Sequence, residues 1–178
     1  MEVPSYTVNE GDGTIEVCAI LVSGMLERTV TFTLSTQDDS ATSTEPVDFS
    51  AVSVELTFNE NTSRACVDVP IDDDDRVENP ENFTIVVDGD DPDVDFVPPT
   101  SVVTVTDNDR VVIGFEMERY QGDEGEAVEV CAILRNGSLG RPVIVEVFTN
   151  DLSAEGLIEL MLSKLLSLLL SVHRVGRL

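Results

Sequence analysis

Apolar and polar residues alternate with period two through most of the first 110 residues. Ile15, Val17, Ala19 and Leu21 alternate with Glu16, Cys18 and Ile20, and Val30, Phe32 and Leu34 alternate with Thr31, Thr33 and Ser35. The pattern continues through Val52, Val54, Leu56 and Phe58, then Ala65, Val67, Val69 and Ile71, then Phe83, Ile85 and Val87, then Val103 and Val105. Successive side chains of a strand point to opposite faces, so this spacing predicts half-buried strands of antiparallel type. Gly11-Asp-Gly13, Ser23-Gly24, Asn59-Glu-Asn61, Asp88-Gly89 and Pro98-Pro99 punctuate the runs as turns. With the segment around Tyr6, the expectation is a seven-stranded antiparallel β-sandwich of immunoglobulin-like type, all-β and without helix.

The strand pattern also repeats on a larger scale. Glu2-x-x-x-Tyr6-x-x-x-Glu10-Gly11 recurs as Glu116-x-x-x-Tyr120-x-x-x-Glu124-Gly125, and Glu16-Val-Cys-Ala-Ile-Leu21 recurs as Glu129-Val-Cys-Ala-Ile-Leu134. The period is about 113 residues, the size of a domain. Residues 1–110 are therefore expected to be one complete unit and residues 111–155 a truncated second copy. Past Ala154 the repeat fails. Residues 156–178 are leucine-rich, lack β-branched alternation and favour helix. Their apolar run, about 16 residues interrupted by Glu159 and Lys164, falls short of the roughly 20 that a membrane span needs. The expectation is a tail foreign to the sandwich, with a membrane anchor as the alternative.

Composition narrows the partners. The 178 residues carry a formal net charge of −25, which repels nucleic acid and anionic membranes and attracts cations or basic protein surfaces. Acidic chains are often disordered, but 42% hydrophobic residues in a regular pattern argue for a folded one. No basic and apolar leader of signal-peptide type is visible near Met1.

Much of the charge is concentrated in one place. Ile71 is followed by Asp72-Asp73-Asp74-Asp75, with Glu78 and Glu81 just beyond. Carboxylates this close repel by roughly 1 kcal/mol per pair in water and more where solvent is excluded. Either they splay into solvent or a hard cation sits among them, and calcium is the ion that takes 6 to 8 oxygen ligands. An EF-hand loop is excluded: starting at Asp72 or Asp73 puts Arg76 or Val77 at the fifth position and no glycine at the sixth. The second acidic stretch, Asp88 to Asp95, matches no ligand pattern and reads as a solvated loop.

Six separated motifs share an order with a known family. They are Phe115-Glu-x-x-x-Tyr120 opening a repeat, Glu10-Gly-Asp-Gly after the first strand, Thr36-x-Asp38 before Asp48-Phe49, the Ile71-Asp-Asp-Asp-Asp75 run, Glu78 with Glu81-Asn-Phe83, and the closing Val105-Thr-Asp-Asn-Asp109. Together they resemble a Calx-beta domain, the module of sodium/calcium exchangers, integrin beta-4 and large matrix and adhesion proteins. The resemblance covers the first unit fully and the second to about Ala154. It implies calcium ions held at one sandwich tip, with Glu10, Asp38, Asp73, Asp74, Glu78, Glu81, Asp107, Asn108 and Asp109 as ligands and a backbone carbonyl from Arg76. Asn108 stands where some members carry an acid, which removes one charge from the site. The second unit retains Glu124 and Asp151 of the set and is expected to bind no ion. By the same resemblance the partners are calcium and neighbouring units or other proteins, in an extracellular or membrane-associated setting; a membrane enters only through a parent protein or the tail.

Strand parity bears on two of the three cysteines. With Val17 and Ala19 inward on one strand and Val67 and Val69 on another, Cys18 and Cys66 both point away from the core. If those strands are neighbours and Cys18 faces Cys66, then Glu16 meets Asp68 and Ile20 meets Arg64, and a disulfide is possible. The alternative is two free surface thiols. Cys131 repeats Cys18 without a visible counterpart to Cys66. Asn61-Thr-Ser63, Asn82-Phe-Thr84 and Asn136-Gly-Ser138 are glycosylation sequons. Signatures of catalysis are missing: no G-x-S-x-G, no phosphate-cradling glycine loop and no histidine in the first unit, so a binding role is expected.

Overall fold

Each alternating run of the first unit forms a strand. A computed structural model describes residues 1–150 and the backbone of 170–173. Two units are distinguished, residues 1–74 with 78–108, and residues 75–77 with the chain from 109 onward. In chain order the strands are β1 (Ser5–Asn9), β2 (Thr14–Ile20), β3 (Val30–Asp38), β4 (Ser53–Phe58), β5 (Arg64–Pro70), β6 (Arg76–Val77), β7 (Glu81–Asp88) and β8 (Thr100–Thr106). They are followed by β9 (Val112–Phe115), β10 (Glu129–Asn136), β11 (Ser138–Leu139) and β12 (Leu170–His173). A three-residue 3-10 turn, Glu10–Asp12, joins β1 to β2.

In the first unit a five-stranded sheet runs β1-β8-β7-β3-β4, and a second sheet pairs β2 with β5. Val17, Ala19 and Val69 from the small sheet form one core cluster with Phe32, Leu34, Phe83, Ile85 and Val103 from the large one. The expected all-β, sandwich-like character is present. Phe49, Phe83, Leu34 and Ile85 are wholly buried, and each contributes roughly 1.5–3 kcal/mol through that burial.

Two expectations of strand arrangement need correction. The first is direction: β1 lies parallel to β8, with Ser5 opposite Val102 and Asn9 opposite Thr106. Period two reports that one face is buried and is blind to strand direction, so the alternation could not reveal this. The second concerns β4. Val54 is 37% exposed although it falls in the inward set, because β4 is an edge strand paired only with β3.

The β2–β5 pairing follows the register that parity implied: Glu16 opposite Asp68, Cys18 opposite Cys66, Ile20 opposite Arg64. Cys18 and Cys66 form a disulfide. Cys18 is nevertheless only 1% exposed. The N-terminal segment covers it, with Glu2 N–H donating to Cys18 O at 2.8 Å and Cys18 N–H donating to the Tyr6 hydroxyl at 3.2 Å.

The second unit contains a sheet of order β12-β10-β9 and the parallel pair β11-β6. It reuses local contacts of the first, with Glu116 N–H donating to Cys131 O at 2.8 Å and the Tyr120 hydroxyl donating to the same oxygen at 3.2 Å. Most of the tail for which helix is expected, 156–178, lies outside the described residues. Leu170–His173 is the exception and is a strand, antiparallel to β10. The open edge of β10 supplies backbone partners there, which overrides the helical preference of leucine. Among the described residues no helix is long and apolar enough to cross a membrane.

Candidate metal centre

Strand directions in the first unit bring acids from distant parts of the sequence to one end. Because β1 and β8 are parallel, both exit at the same tip, and Asn9 Nδ2 donates to Thr106 O at 3.1 Å to join them. β7 is antiparallel to both neighbours, with Phe83 opposite Asp38 and Glu81 opposite Val105, so it enters where β3 and β8 leave. β5 ends opposite the start of β2, and Ile71 N–H donates to Gly13 O at 3.0 Å. The aspartate run therefore begins at this tip.

Glu10 is buried by the 3-10 turn that carries it. Asn9 caps the turn, its side chain accepting from Gly11 N–H at 3.2 Å while its own N–H donates to Asp12 Oδ2 at 3.0 Å. This reciprocal cap satisfies the turn's backbone donors locally. Gly13 closes it at φ 76°, a left-handed conformation that suits glycine. Glu10 is left only 7% exposed, and its Oε1 accepts the Asn108 N–H at 2.9 Å. Asn108 in turn donates through Nδ2 to Asp73 Oδ1 at 3.0 Å. A carboxylate oxygen of Asp107 lies within 4.8 Å of one from Glu10. Glu10, Asp73, Asp107 and Asn108 are thus brought together.

A second group forms beside the same loop. Asp48, Glu78 and Glu81 each offer a carboxylate oxygen within 4.8 Å of the others, and all three are partly buried. The stacked rings of Phe49 and Phe83, with centroids 4.0 Å apart, fix the segments that carry Asp48 and Glu81. Asp48 Oδ2 accepts the Thr42 N–H at 2.7 Å, and its carbonyl accepts the Asp72 N–H at 3.0 Å. Asp72 to Asp73 consequently touches both groups. At such separations each pair of carboxylates repels by about 1 kcal/mol in water and about 4 kcal/mol at an effective dielectric of 20.

Of the remaining expected ligands, Asp38 and Asp74 belong to neither group. Asp38 ends β3 at the tip, but its Oδ1 accepts the Ser43 N–H at 3.1 Å and it joins neither acidic group. Asp74 is exposed at the end of the first unit's share of the run. Arg76 lies in β6, which pairs with β11 in the second unit. Asp109 begins the main segment of that second unit, adjacent in the chain to Asn108. Glu124 is exposed, and Asp151 is outside the described residues. Asp48 was not among the expected ligands; its signal is the Asp48-Phe49 pair, an acid tied directly to a core aromatic. Of the sequons, Asn61 is exposed at a hairpin turn, whereas Asn82 Oδ1 accepts from Thr104 Oγ1 at 2.7 Å within the sheet.

Both groups are oxygen-only, partly buried and anionic, the donor chemistry of a calcium site rather than a zinc site. A sequence profile of the Calx-beta domain matches residues 1–109 and again 106–157. The chain belongs to the Calx-beta family. Similar solved structures include the apo form of the Calx CBD1 domain, 27% identical with TM-score 0.55, the match covering 60% of this chain and 92% of that one. The calcium binding domain CBD12 of CALX1.1 is 24% identical with TM-score 0.56, covering 73% of this chain and 55% of that one. CBD12 from CALX1.2 is 23% identical with TM-score 0.56, covering 74% and 54%. The match thus spans about half of each CBD12 structure, and at that identity these two show the fold alone. No curated protein matches the chain. Calx-beta is a family of binding and regulatory domains.

Proposed function

We propose that this Calx-beta chain is a calcium-binding structural and interaction module, in which ions stiffen one sandwich tip and the segment leaving it. One observation carries the reading: acids from the ends of β1 and β8, from the loop before Phe49 and from the aspartate run converge at a single end of the first unit. Glu10, Asp73, Asp107 and Asn108 would hold an ion in the first group, and Asp48, Glu78 and Glu81 in the second. Asp38, Asp74 and Asp109 are the further ligands that the Calx-beta resemblance implies. Bound calcium would supply two positive charges and oxygen coordination, replacing carboxylate repulsion by attraction. Membership of the Calx-beta family supports this reading.

The same reading includes a partial second copy after residue 110, with no ion of its own, and an extracellular setting in a cell-surface or adhesion protein. The Cys18–Cys66 disulfide supports the setting, since disulfides persist in oxidising compartments, and the exposed Asn61 sequon is suited to a glycan there. It weighs against an intracellular calcium sensor of a membrane transporter. Calorimetric titration of calcium into the full chain is the test. Binding at millimolar calcium or below, lost when Asp73 and Asp74 are both replaced by Asn, is expected; no heat and no rise in melting temperature would reject the proposal.

A calcium-independent spacer is the second reading, and one observation favours it. Asn108 already bridges Glu10 and Asp73 by hydrogen bonds, so part of the tip is satisfied without an ion. The spacer predicts equal or higher stability of the Asp73→Asn and Asp74→Asn variant in chelator, and no stabilisation of either protein by calcium beyond general screening.

A further inference from the structure

The other end of the first unit, where β2 leaves and β3 enters, holds a cavity of about 340 Å³. Its walls are mostly apolar, among them Leu26, Phe32, Phe58 and Phe96. Phe96 reaches it because the chain after β7 folds back: its ring lies 5.8 Å from that of Phe32, and Gly89 admits it, since a Cβ there would meet Phe96 Cζ at 3.2 Å. The cavity mouth is apolar as well. Val22 and Val97 line it and are each 72% exposed, and Met25, between lining residues Ser23 and Leu26 in the chain, is 90% exposed. Such a patch around a concavity is characteristic of interaction sites.

Charge selects the occupant. The two loops that frame the cavity, residues 21–29 and 88–99, carry Glu27, Asp88, Asp90, Asp91, Asp93 and Asp95 against one basic side chain, Arg28. Arg28 is committed within the loops, donating to Asp91 and, at 3.1 Å, to Asp93. The terminal ammonium of Met1 donates to Pro98 O at 3.4 Å. A second copy of a chain of net charge −25 would be repelled, and so would an anionic lipid surface. We propose that this end docks a basic peptide segment of a partner protein, with an apolar side chain as anchor in the cavity and flanking lysines or arginines against the aspartates of residues 88–95. The acidic stretch that reads as a merely solvated loop then becomes the rim of a site, and the proposal does not depend on calcium at the other end.

Fluorescence anisotropy of the full chain with a labelled synthetic peptide, a Leu-Phe pair flanked on each side by lysines, tests this. Binding is expected with or without calcium. Replacing Val22 and Val97 together by Ser should weaken it by roughly a hundredfold, about tenfold for each valine that the peptide covers. Asp90→Asn with Asp95→Asn should weaken it and reduce its salt dependence, and Met25→Ser, at a position too exposed to affect folding, should also weaken it. Three outcomes would each overturn the proposal: equal binding of a peptide with Ser-Ser in place of Leu-Phe, equal binding of one with glutamate in place of lysine, or cosedimentation with phosphatidylcholine vesicles in the absence of peptide binding.

Discussion

At Asn108 a single amide sets the balance between the calcium-free and calcium-bound tip. Its Nδ2 donates to Asp73 Oδ1 at 3.0 Å and its N–H to Glu10 Oε1 at 2.9 Å. Replacing it by Asp retains the backbone bond, removes the side-chain donor and sets two carboxylates in contact. The Asn108→Asp protein should therefore melt lower in chelator, by roughly 1–3 kcal/mol for the lost bond and new repulsion, and bind calcium more tightly; thermal melts with and without calcium check both signs. Gly11 is the complementary case. A Cβ at that position would meet Asn108 Nδ2 at 2.5 Å, so Gly11→Ala should displace Asn108 and weaken calcium binding, read by calorimetry, without adding or removing charge. How far such residues are legible in sequence depends on their company. Glu10, Asp73 and Asp107 stand in recognisable motifs at strand ends. Asp48 stands in a recognisable Asp-Phe pair, but only the stack of Phe49 on Phe83 shows that this pair is anchored beside Glu81. Asp38 has the right position at a strand end, yet its carboxylate caps a local turn through Ser43, a use that linear spacing cannot distinguish from ligation.

Among the elements, the β2–β5 pair was the most legible, because burial of one face fixes register and a one-residue slip would turn every side chain over. Parity put Cys18 and Cys66 on the same outward face, and the structure supplies the register that sets one opposite the other. The parallel course of β1 was not legible, since alternation carries no direction, and it is this course that brings Glu10 beside Asp107 and Asn108. The disulfide closes a loop with a sequence separation of 48, for which loop-closure entropy gives about 4 kcal/mol. Urea denaturation of a Cys131→Ser protein, which cannot reshuffle, should show a loss of that order on adding a phosphine reductant. At the opposite end Arg28 holds the loop after β7 through Asp91, whose carboxyl it keeps down at about 2 against an ordinary value of 3.8. A folded value below the unfolded one means that the tie is fully present above pH 3.8 and is lost as pH falls through about 2. Carboxyl chemical shifts should report that low value in the native chain, and a return towards the ordinary one in Arg28→Ala.

Across the whole molecule, a net charge of −25 means that any cation will stabilise the fold somewhat, by screening self-repulsion. A melting temperature that rises with calcium is therefore not enough; the rise must exceed what general screening gives. A specific site contributes about 2.7 kcal/mol when free calcium is a hundred times its dissociation constant, whereas sodium chloride at matched ionic strength contributes only screening. Magnesium separates the cases further, because it demands a small octahedral shell and dehydrates reluctantly, while carboxylates on loops suit the larger and more flexible calcium shell. The expected order of stabilisation is calcium, then magnesium, then sodium. Asp48→Asn makes the test local: an amide oxygen can still accept the Thr42 N–H that Asp48 Oδ2 accepts at 2.7 Å, so the loop keeps its bond and loses one charge. That variant should retain the sodium increment and lose most of the calcium increment, and equal calcium increments in both proteins would assign the effect to screening.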